Sequence, residues 1–270
     1  MKKKFISALT IAGFDGSGGA GMQADLKTFS ALGCYGMSVL TALPIQNTRG
    51  VSNCYQLPLS AIEEQLESIF SDITPDVIKI GMLFNHDIIL LVSRYLRKYA
   101  TNIPIVLDPV MVAKSGDYLL LPTAIDGLKK HLIPLATVIT PNLNEAQTLS
   151  GIPILTSDDM LKSARIIQKS GVANVLLKGG HLKGNDCADL LLGKTNSQWL
   201  HAPRINTVNT HGTGCTLAAA IAANLAQGVD LASSCQNAKH YLQQALASYQ
   251  QVKIGHGHGP VNHFHQWWKN

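Results

Sequence analysis

Short apolar runs rich in isoleucine, valine and leucine alternate along this chain with amphipathic stretches of about ten to fifteen residues. This alternation is typical of βαβ units whose parallel strands are buried on both faces. We therefore predict an α/β fold of three layers (α/β/α), in which helices cover both faces of a mostly parallel central sheet. The predicted strands are residues 5–12, 37–45, 77–80, 105–107, 137–139 and 175–177, followed by a hairpin of residues 187–192 and 198–202. The predicted helices are residues 23–32, 59–71, 87–99, 123–131, 144–150, 157–170, 215–227 and 230–250.

No linker, low-complexity block or internal repeat interrupts the sequence, so we predict one domain over residues 1–270. The longest apolar runs fall well short of the roughly 18 residues that cross a bilayer. The apolar residues 5–14 after three lysines imitate a secretory signal, but we interpret them as the first core strand. The net charge of +5 is modest and the basic residues are scattered, which argues against a nucleic-acid groove and favours a small anionic ligand. Five cysteines without a CxxC pair fit a reducing, cytoplasmic compartment.

Polar residues or glycines follow nearly every predicted strand. In a parallel sheet with right-handed crossovers, the carboxyl ends of the strands meet at one edge, and ligands bind in the crevice there. We therefore predict the functional site at this edge. The residues in question are Gly13, Asp15, Gln46, Asn47, Gly81, Met82, Asp108, Asn142, Lys178 and Gly179.

The segment GSGGAG, residues 16–21, satisfies the G-x-G-x-x-G pattern of dinucleotide-binding loops. A nicotinamide site also requires an acidic residue at the end of the second strand, where this chain has Gln46. The dehydrogenase hypothesis is therefore disfavoured, and the absence of GxxxxGK[ST] excludes a Walker-type NTPase. Two interpretations remain: a tight structural turn, or a loop whose missing side chains let backbone amides approach a ligand.

A second glycine turn, THGTGCT at residues 210–216, leads directly into an alanine-rich helix. The glycines free the amides of residues 212–215 to point at one spot, where the helix dipole adds positive charge. Such an anion hole suits phosphoryl transfer. Cys215 lies in the first helical turn, where thiol pKa values are typically depressed, so it is a candidate base toward an incoming hydroxyl. A packing role for Cys215 and a Cys–His pair with His211 are the alternatives.

Several linked motifs resemble, in matching order, the hydroxymethylpyrimidine and phosphomethylpyrimidine kinases of thiamin biosynthesis, which belong to the ribokinase superfamily. The resemblance runs from Ala8 to the closing GPVNHFHQWW. The motifs are GFDGSGGAGMQADLKTFSALGCYG, QNTRGV, KIGML, LDPVM with AKSGD, TPNLNEA, LLKGGH and NTHGTGCTLAAAIAA.

The resemblance implies a ribokinase-like fold, a homodimer and ATP-dependent phosphorylation of 4-amino-5-hydroxymethyl-2-methylpyrimidine, then of its monophosphate to the diphosphate. Pyridoxal kinase of the same superfamily is the alternative, and Gln46 and Cys215 favour the pyrimidine. A non-catalytic vitamin-binding protein on this scaffold would be expected to have lost Cys215 or Lys178.

The resemblance also implies roles for individual residues. For the substrate, Gln46 is expected to read the pyrimidine, and the ring pocket is expected to involve Gly13, Met82 and Asp25. For catalysis, it implies Cys215 as base, with Gly212, Gly214 and Lys178 around the transferred phosphoryl group. For ATP and its phosphates, the implied residues are Asn142, Lys178, Thr213 and a loop at Lys114 that closes over them, and for Mg²⁺ they are Asp108 and Glu145.

Structural interpretations of the same residues stay open. Asp108 before Pro109 is also a common turn former, and Asn142 with Glu145 is also a capping box. Lys178 at the end of an apolar run could extend to solvent. The histidines of the C-terminal tail could bind a metal, but packing of Trp267 and Trp268 is the favoured interpretation.

Overall fold

A computed structural model describes residues 5–112, 119–180, 186–250 and 252–268. Its strands are β1 (Ser7–Ala12), β2 (Tyr35–Leu40), β3 (Ala42–Asn47), β4 (Gly50–Gln56), β5 (Val77–Ile80), β6 (Ile105–Leu107), β7 (Val138–Ile139), β8 (Val175–Leu177), β9 (Asp189–Leu192) and β10 (Ser197–Leu200). Its helices are α1 (Gly21–Ala31), α2 (Leu59–Asp72), α3 (His86–Tyr99), α4 (Ile125–Gly127), α5 (Leu143–Ser150), α6 (Ser157–Gln168), α7 (Thr213–Ala226) and α8 (Leu231–Ser248).

An eight-stranded sheet in the order β10-β9-β8-β7-β6-β5-β1-β2 forms the middle layer. The strands from β8 to β2 in this order are parallel, whereas β9 and β10 add an antiparallel hairpin at one edge. The predicted mostly parallel sheet and its late hairpin are confirmed. Because the chain moves outward from β1 to β2 and later continues on the other side with β5, the sheet has a switch point at β1, where a crevice opens.

Helices pack on both faces of the sheet, so the predicted three-layer arrangement is confirmed. One core contains Leu9 and Ile11 of β1 with side chains from α2, α3, α5 and α6. The opposite core contains Ala8 of β1 with side chains from α1, α7 and α8. In α7, the residues from Ala218 to Ala223 are fully buried, because small side chains let this helix lie close against the sheet. None of the helices among the described residues is long and apolar enough to span a membrane.

The prediction of one continuous strand over residues 37–45 is wrong in one respect, because the chain leaves the central sheet in the middle of this segment. Thr41 separates β2 from β3, and β3 pairs with β4 in a separate two-stranded sheet. Buried Thr41 donates its N–H to Ala12 O at 3.0 Å and its hydroxyl to Met82 O at 2.6 Å. These bonds come from distant parts of the chain, so an apolar run gives no sign of the break. The β3–β4 hairpin carries Gln46 near its turn.

The helix predicted over residues 123–131 is also partly wrong. The segment is a succession of short turns: a 3₁₀ turn at Pro122–Ala124, α4, a π-helical turn at Leu128–Leu132 and a 3₁₀ turn at Ile133–Leu135. A proline lies in the first turn of each 3₁₀ element, where its missing N–H is tolerated and a continuous α-helix is not supported.

The glycine-rich C-terminal segment packs against the turn of the β3–β4 hairpin. His258 N donates to Thr48 O at 2.8 Å, and Gly257 N donates to Thr48 Oγ1 at 3.2 Å. Trp267 donates its indole N–H to Ala31 O at 3.3 Å, but Trp267 and Trp268 are 66% and 54% exposed, so the packing expected of these two side chains stays a prediction. Among the described residues, no group of three or more His, Cys, Asp or Glu side chains could hold a metal.

We expect Gly257→Ala to lower the free energy of unfolding by about 1–3 kcal/mol, since overpacking costs that much. A Cβ atom on Gly257 would lie 2.0 Å from Thr48 O, a backbone atom that cannot move freely. Urea denaturation measures the change. Gly180→Ala is the matched control, because its Cβ would meet nothing within 4 Å. Equal stabilities of the two variants would contradict the contact.

Candidate active site

A cavity of about 710 Å³ opens at the carboxyl ends of the parallel strands, at the predicted edge. It collects residues from both glycine segments and from the ends of β1, β5, β6, β7 and β8. Two of the predicted site residues are not among those that line the cavity. Asp25 lies elsewhere in the protein, and Lys114 lies outside the described residues. The predicted residues that do line it are Gly13, Gln46, Met82, Asp108, Asn142, Glu145, Lys178, Gly212, Thr213, Gly214 and Cys215.

The two glycine segments touch each other at the amino end of α7. Gly212 caps this helix with a left-handed backbone, φ 78°, which glycine adopts without strain. A Cβ atom there would lie 1.8 Å from Gly19 O, so only glycine fits. The first glycine segment is therefore a packing partner of the helix start, as the structural interpretation expects, and the approach of its amides to a ligand stays a prediction.

The space in front of Gly214 is bounded by a cation and a carboxylate. A Cβ atom on Gly214 would lie 3.3 Å from Lys178 Nζ and 3.5 Å from Asp108 Oδ2. Lys178 Nζ is 2.9 Å from Asp108 Oδ1, which also accepts from Thr140 Oγ1 at 3.1 Å. Burial alone would lower the pKa of Lys178, but Asp108 and Glu145 outweigh it and raise the pKa, so the ammonium group stays charged. Lys178 therefore faces the cavity rather than extending to bulk solvent.

Asn142 and Glu145 form the capping box of α5. Glu145 N donates to Asn142 Oδ1 at 3.0 Å, and Asn142 N donates to Glu145 Oε2 at 2.8 Å. Burial raises the pKa of Glu145 to about 7. Both side chains also line the cavity, so the capping role and a ligand-binding role are compatible.

The prediction that Cys215 has a depressed pKa is wrong. The thiol lies in the cavity wall at the first turn of α7, but burial raises its pKa to about 11, and the charges of Asp25 and Asp108 add to the increase. Lys79 acts in the opposite direction and lowers it. The expectation of a low thiol pKa at the start of a helix considers only the helix dipole, whereas here the loss of solvation by water has the larger effect on the pKa. In the ligand-free protein Cys215 is therefore a neutral thiol.

A fully buried ion pair was missed by the sequence analysis. Lys79 of β5 lies 2.8 Å from Asp25 Oδ2 of α1, and Thr10 donates to the same oxygen at 2.6 Å. Asp25, expected beside the substrate ring, is instead enclosed in the protein, and its Oδ1 has no hydrogen-bond partner among the described residues. A lysine inside the apolar run VIKI was the available signal, since a buried lysine needs a partner.

Asp15 and His211 form a second buried pair that the sequence analysis did not assign. His211 Nε2 lies 2.7 Å from Asp15 Oδ2 and 3.1 Å from Gln46 Nε2. This ring nitrogen therefore contacts Asp15 and Gln46 rather than Cys215, which disfavours the alternative of a Cys–His pair. Asp15 also holds the first glycine segment, because it accepts from Ser17 N, Ser17 Oγ, Gly19 N and Ala20 N at 2.7–3.1 Å.

Acid should destabilise the protein partly through Asp15. Burial alone would raise its pKa, but hydrogen bonds from His211 and Ser17 outweigh burial and lower the pKa from 3.8 to about 2. A lowered folded-state pKa stabilises the fold above the unfolded value, and this contribution disappears as the pH falls toward 2. We expect wild-type protein to lose about 2 kcal/mol more unfolding free energy than Asp15→Asn between pH 5 and pH 2. Urea titrations at fixed pH measure this, and parallel losses in both proteins would contradict it.

Comparisons with known proteins identify the family of this chain. A family model described as phosphomethylpyrimidine kinase matches residues 15–262. The hydroxymethylpyrimidine/phosphomethylpyrimidine kinase of Escherichia coli K12 is 50% identical over 266 residues, which cover 98% of this chain and 100% of that protein.

Two solved structures show the same fold. A phosphomethylpyrimidine kinase from Clostridium difficile 630 is 46% identical with a TM-score of 0.79, covering 89% of this chain and 99% of that one. A Bacillus subtilis pyridoxal kinase, solved as an ADP complex, is 38% identical with a TM-score of 0.89, covering 96% of this chain and 98% of that one. The predicted ribokinase-like α/β/α fold is confirmed, and by the extent of these matches the chain belongs to the phosphomethylpyrimidine kinase family.

Proposed function

We propose that this protein uses MgATP to phosphorylate 4-amino-5-hydroxymethyl-2-methylpyrimidine and then its monophosphate, supplying the pyrimidine diphosphate for thiamin biosynthesis. One observation carries the proposal: the amino end of α7 at Gly214 faces the ion pair of Lys178 and Asp108 inside the cavity. The family membership and the activity of the E. coli relative support it.

The pyrimidine ring fits the part of the cavity between the end of β1 and the β3–β4 hairpin. Met82 closes one side, and its sulfur would lie 2.7 Å from a Cβ atom on Gly13, so glycine at this position lets the Met82 side chain pack against the backbone of the pocket wall. Gln46 lines the same region and has an amide that both donates and accepts hydrogen bonds. These three residues would position the hydroxymethyl group toward Cys215.

The transferred phosphoryl group would occupy the space in front of Gly214. The amides of residues 212–215 and the Lys178 ammonium would stabilise charge on its equatorial oxygens without rearrangement. Cys215 stays the candidate acceptor of the hydroxyl proton. Because the free thiol has a raised pKa of about 11, that role requires the rare thiolate form, whose charge Lys79 favours. The active fraction of the enzyme should therefore increase with pH.

The donor set at the edge of β6 and α5 fits Mg²⁺. Asp108 and Glu145 present buried carboxylates to the cavity, and Mg²⁺ is commonly held by one or two carboxylates together with phosphate oxygens. We propose these two residues as its ligands, with Asn142 and Thr213 beside the ATP phosphates. When bound, the ion neutralises phosphate charge. Lys114 remains a prediction from the resemblance.

The far end of the cavity suits a nucleobase. Its walls include Ile205, Leu217, Leu242 and Leu246, an apolar set that can cover the adenine faces. The ADP complex of the B. subtilis pyridoxal kinase supports a nucleotide in this fold. The expectations of one domain, a homodimer and a cytoplasmic location stay predictions from the sequence.

Pyridoxal phosphorylation is the second candidate, because the pyridoxal kinase structure matches this chain with a TM-score of 0.89. An ATP-consumption assay with Mg²⁺ distinguishes the two, offering hydroxymethylpyrimidine, its monophosphate and pyridoxal separately, with products identified by mass. We expect turnover of both pyrimidines and little of pyridoxal. Dominant pyridoxal turnover would overturn the substrate assignment, and no turnover of any substrate would overturn the kinase assignment.

A further inference from the structure

One imidazole nitrogen in the cavity has two polar neighbours that compete for it. His211 Nε2 lies 2.7 Å from Asp15 Oδ2 and 3.1 Å from the terminal amide nitrogen of Gln46. A ring nitrogen either carries a hydrogen and donates or exposes a lone pair and accepts. Because His211 is 8% exposed and Asp15 1%, water does not resolve the competition. The stronger partner must decide the state of this nitrogen.

Asp15 is that stronger partner, because it is surrounded by donors. Its oxygens accept from Ser17 N at 2.9 Å, Ser17 Oγ at 2.7 Å, Gly19 N at 3.1 Å and Ala20 N at 2.7 Å. A carboxyl group with so many donors is ionised, and an ionised carboxylate only accepts. His211 Nε2 must therefore carry a hydrogen and donate it to Asp15.

This hydrogen determines how the amide of Gln46 is turned. An N–H group attracts the amide oxygen and repels the amide NH₂ group. Turning the terminal amide by 180° exchanges nitrogen and oxygen with almost no change in shape, so hydrogen-bond partners decide between the two orientations. With oxygen beside His211, the NH₂ group lies on the other side of the amide, in the cavity that Gln46 lines.

We propose that Asp15, acting through His211, fixes the amide of Gln46 with its oxygen toward the imidazole and its NH₂ group toward the substrate, which makes this pair a specificity determinant of the kinase. The inference rests on the proposed function. A 4-aminopyrimidine presents a ring-nitrogen acceptor to the NH₂ group, and the second lone pair of the amide oxygen remains for the neighbouring amino group. Asp15 and His211 are positioning residues in this scheme, since they act through Gln46.

A pair of substrates with nearly the same shape tests the proposal. The 4-oxo analogue of the hydroxymethylpyrimidine exchanges the ring acceptor for an N–H donor and the amino group for a carbonyl. We expect wild-type kcat/KM to favour the 4-amino compound by roughly 100-fold, because two buried polar groups would be mismatched with the analogue. In His211→Phe the preference should fall below about 10-fold, since the amide is free to turn.

Asp15→Asn makes the sharper test, since its amide can donate to His211 Nε2 and make that nitrogen an acceptor. The Gln46 amide can then reverse, so the preference should collapse or change sign. His201→Phe is the matched control, because His201 also pairs with an aspartate, Asp186, but is 65% exposed and does not line the cavity. It should keep the wild-type preference.

The ratio between the two substrates separates positioning from general damage. Loss of rate in His211→Phe and Asp15→Asn with an unchanged 100-fold preference would overturn the proposal, and so would a wild-type protein without preference. Calorimetric binding of both compounds in the absence of ATP gives the same ratio for variants that do not turn over. If wild-type protein binds the 4-amino compound selectively but phosphorylates neither, the proposed function fails while the binding ratio of the variants still decides the role of Asp15 and His211.

Discussion

Replacing Cys215 by alanine should lower kcat by roughly 100- to 10,000-fold and leave KM for the pyrimidine within a few-fold, because general-base groups contribute rate enhancements of that size. The thiol lies in the cavity wall at the start of α7, whereas ring recognition depends on Gln46 and Met82 at the other end of the substrate region. Steady-state kinetics with hydroxymethylpyrimidine and saturating MgATP measure both parameters.

The pH dependence gives the same prediction a second readout. A base whose pKa is about 11 is active only in its small ionised fraction, so wild-type kcat should rise with pH across the neutral and mildly alkaline range. Cys215→Ala should show no such rise. A variant that keeps the wild-type slope would show that another group takes the proton.

Two controls separate chemistry from packing. Cys215→Ser preserves most of the side-chain volume but its hydroxyl is a weaker acid than the thiol, so it should lose as much activity as Cys215→Ala. Cys235→Ala removes a fully buried cysteine of α8 that does not line the cavity. It should lower the free energy of unfolding while leaving kcat unchanged. Full activity in Cys215→Ser would contradict the role of the thiol as base.

Gly214→Ala should lower the kcat of phosphoryl transfer by roughly 100- to 1,000-fold without harming the fold. The added methyl group would lie 3.3 Å from Lys178 Nζ and 3.5 Å from Asp108 Oδ2, in the space we assign to the transferred group. Removing one oxyanion-stabilising donor from an active site typically costs that much, and here a methyl group would displace the phosphoryl oxygens from several donors.

The stability of Gly214→Ala distinguishes this effect from misfolding. Gly214 lies in the first turn of α7 without a left-handed backbone, and alanine favours helix, so the free energy of unfolding should stay the same or rise by a few tenths of a kcal/mol. Gly212→Ala is the contrasting variant, because its Cβ would collide with Gly19 O at 1.8 Å. It should lose both activity and stability. Normal turnover by Gly214→Ala would place the phosphoryl group elsewhere.

The sequence predicts the sheet well because most of its strands are buried on both faces. The apolar runs of β5, β6 and β8 therefore coincide with the strands themselves. The prediction fails at Thr41, where the chain bends because of hydrogen bonds to Ala12 and Met82 rather than because of local residue preference. Local patterns contain no information about such partners.

In the site, too, some features could be predicted from the sequence and others could not. Residues directly after strands, such as Asp108 and Lys178, converge as predicted, because topology alone brings strand ends together. The pairing of Lys79 with Asp25, 54 positions apart, depends on how α1 lies against β5, which no spacing rule describes. The prediction of a depressed pKa for Cys215 was wrong for a related reason, since burial depends on the folded protein as a whole.

The contacts that complete the substrate-binding part of the cavity join residues far apart in the sequence. Asp15 and His211 are 196 positions apart, and Thr48 and Gly257 are 209 apart. During synthesis, then, the pyrimidine pocket is completed only after the sheet and most helices have left the ribosome. Such long-range closure is slow relative to helix formation. Because the amides of residues 212–215 directly follow His211 in the chain, phosphate binding and substrate selection become possible at the same stage of synthesis.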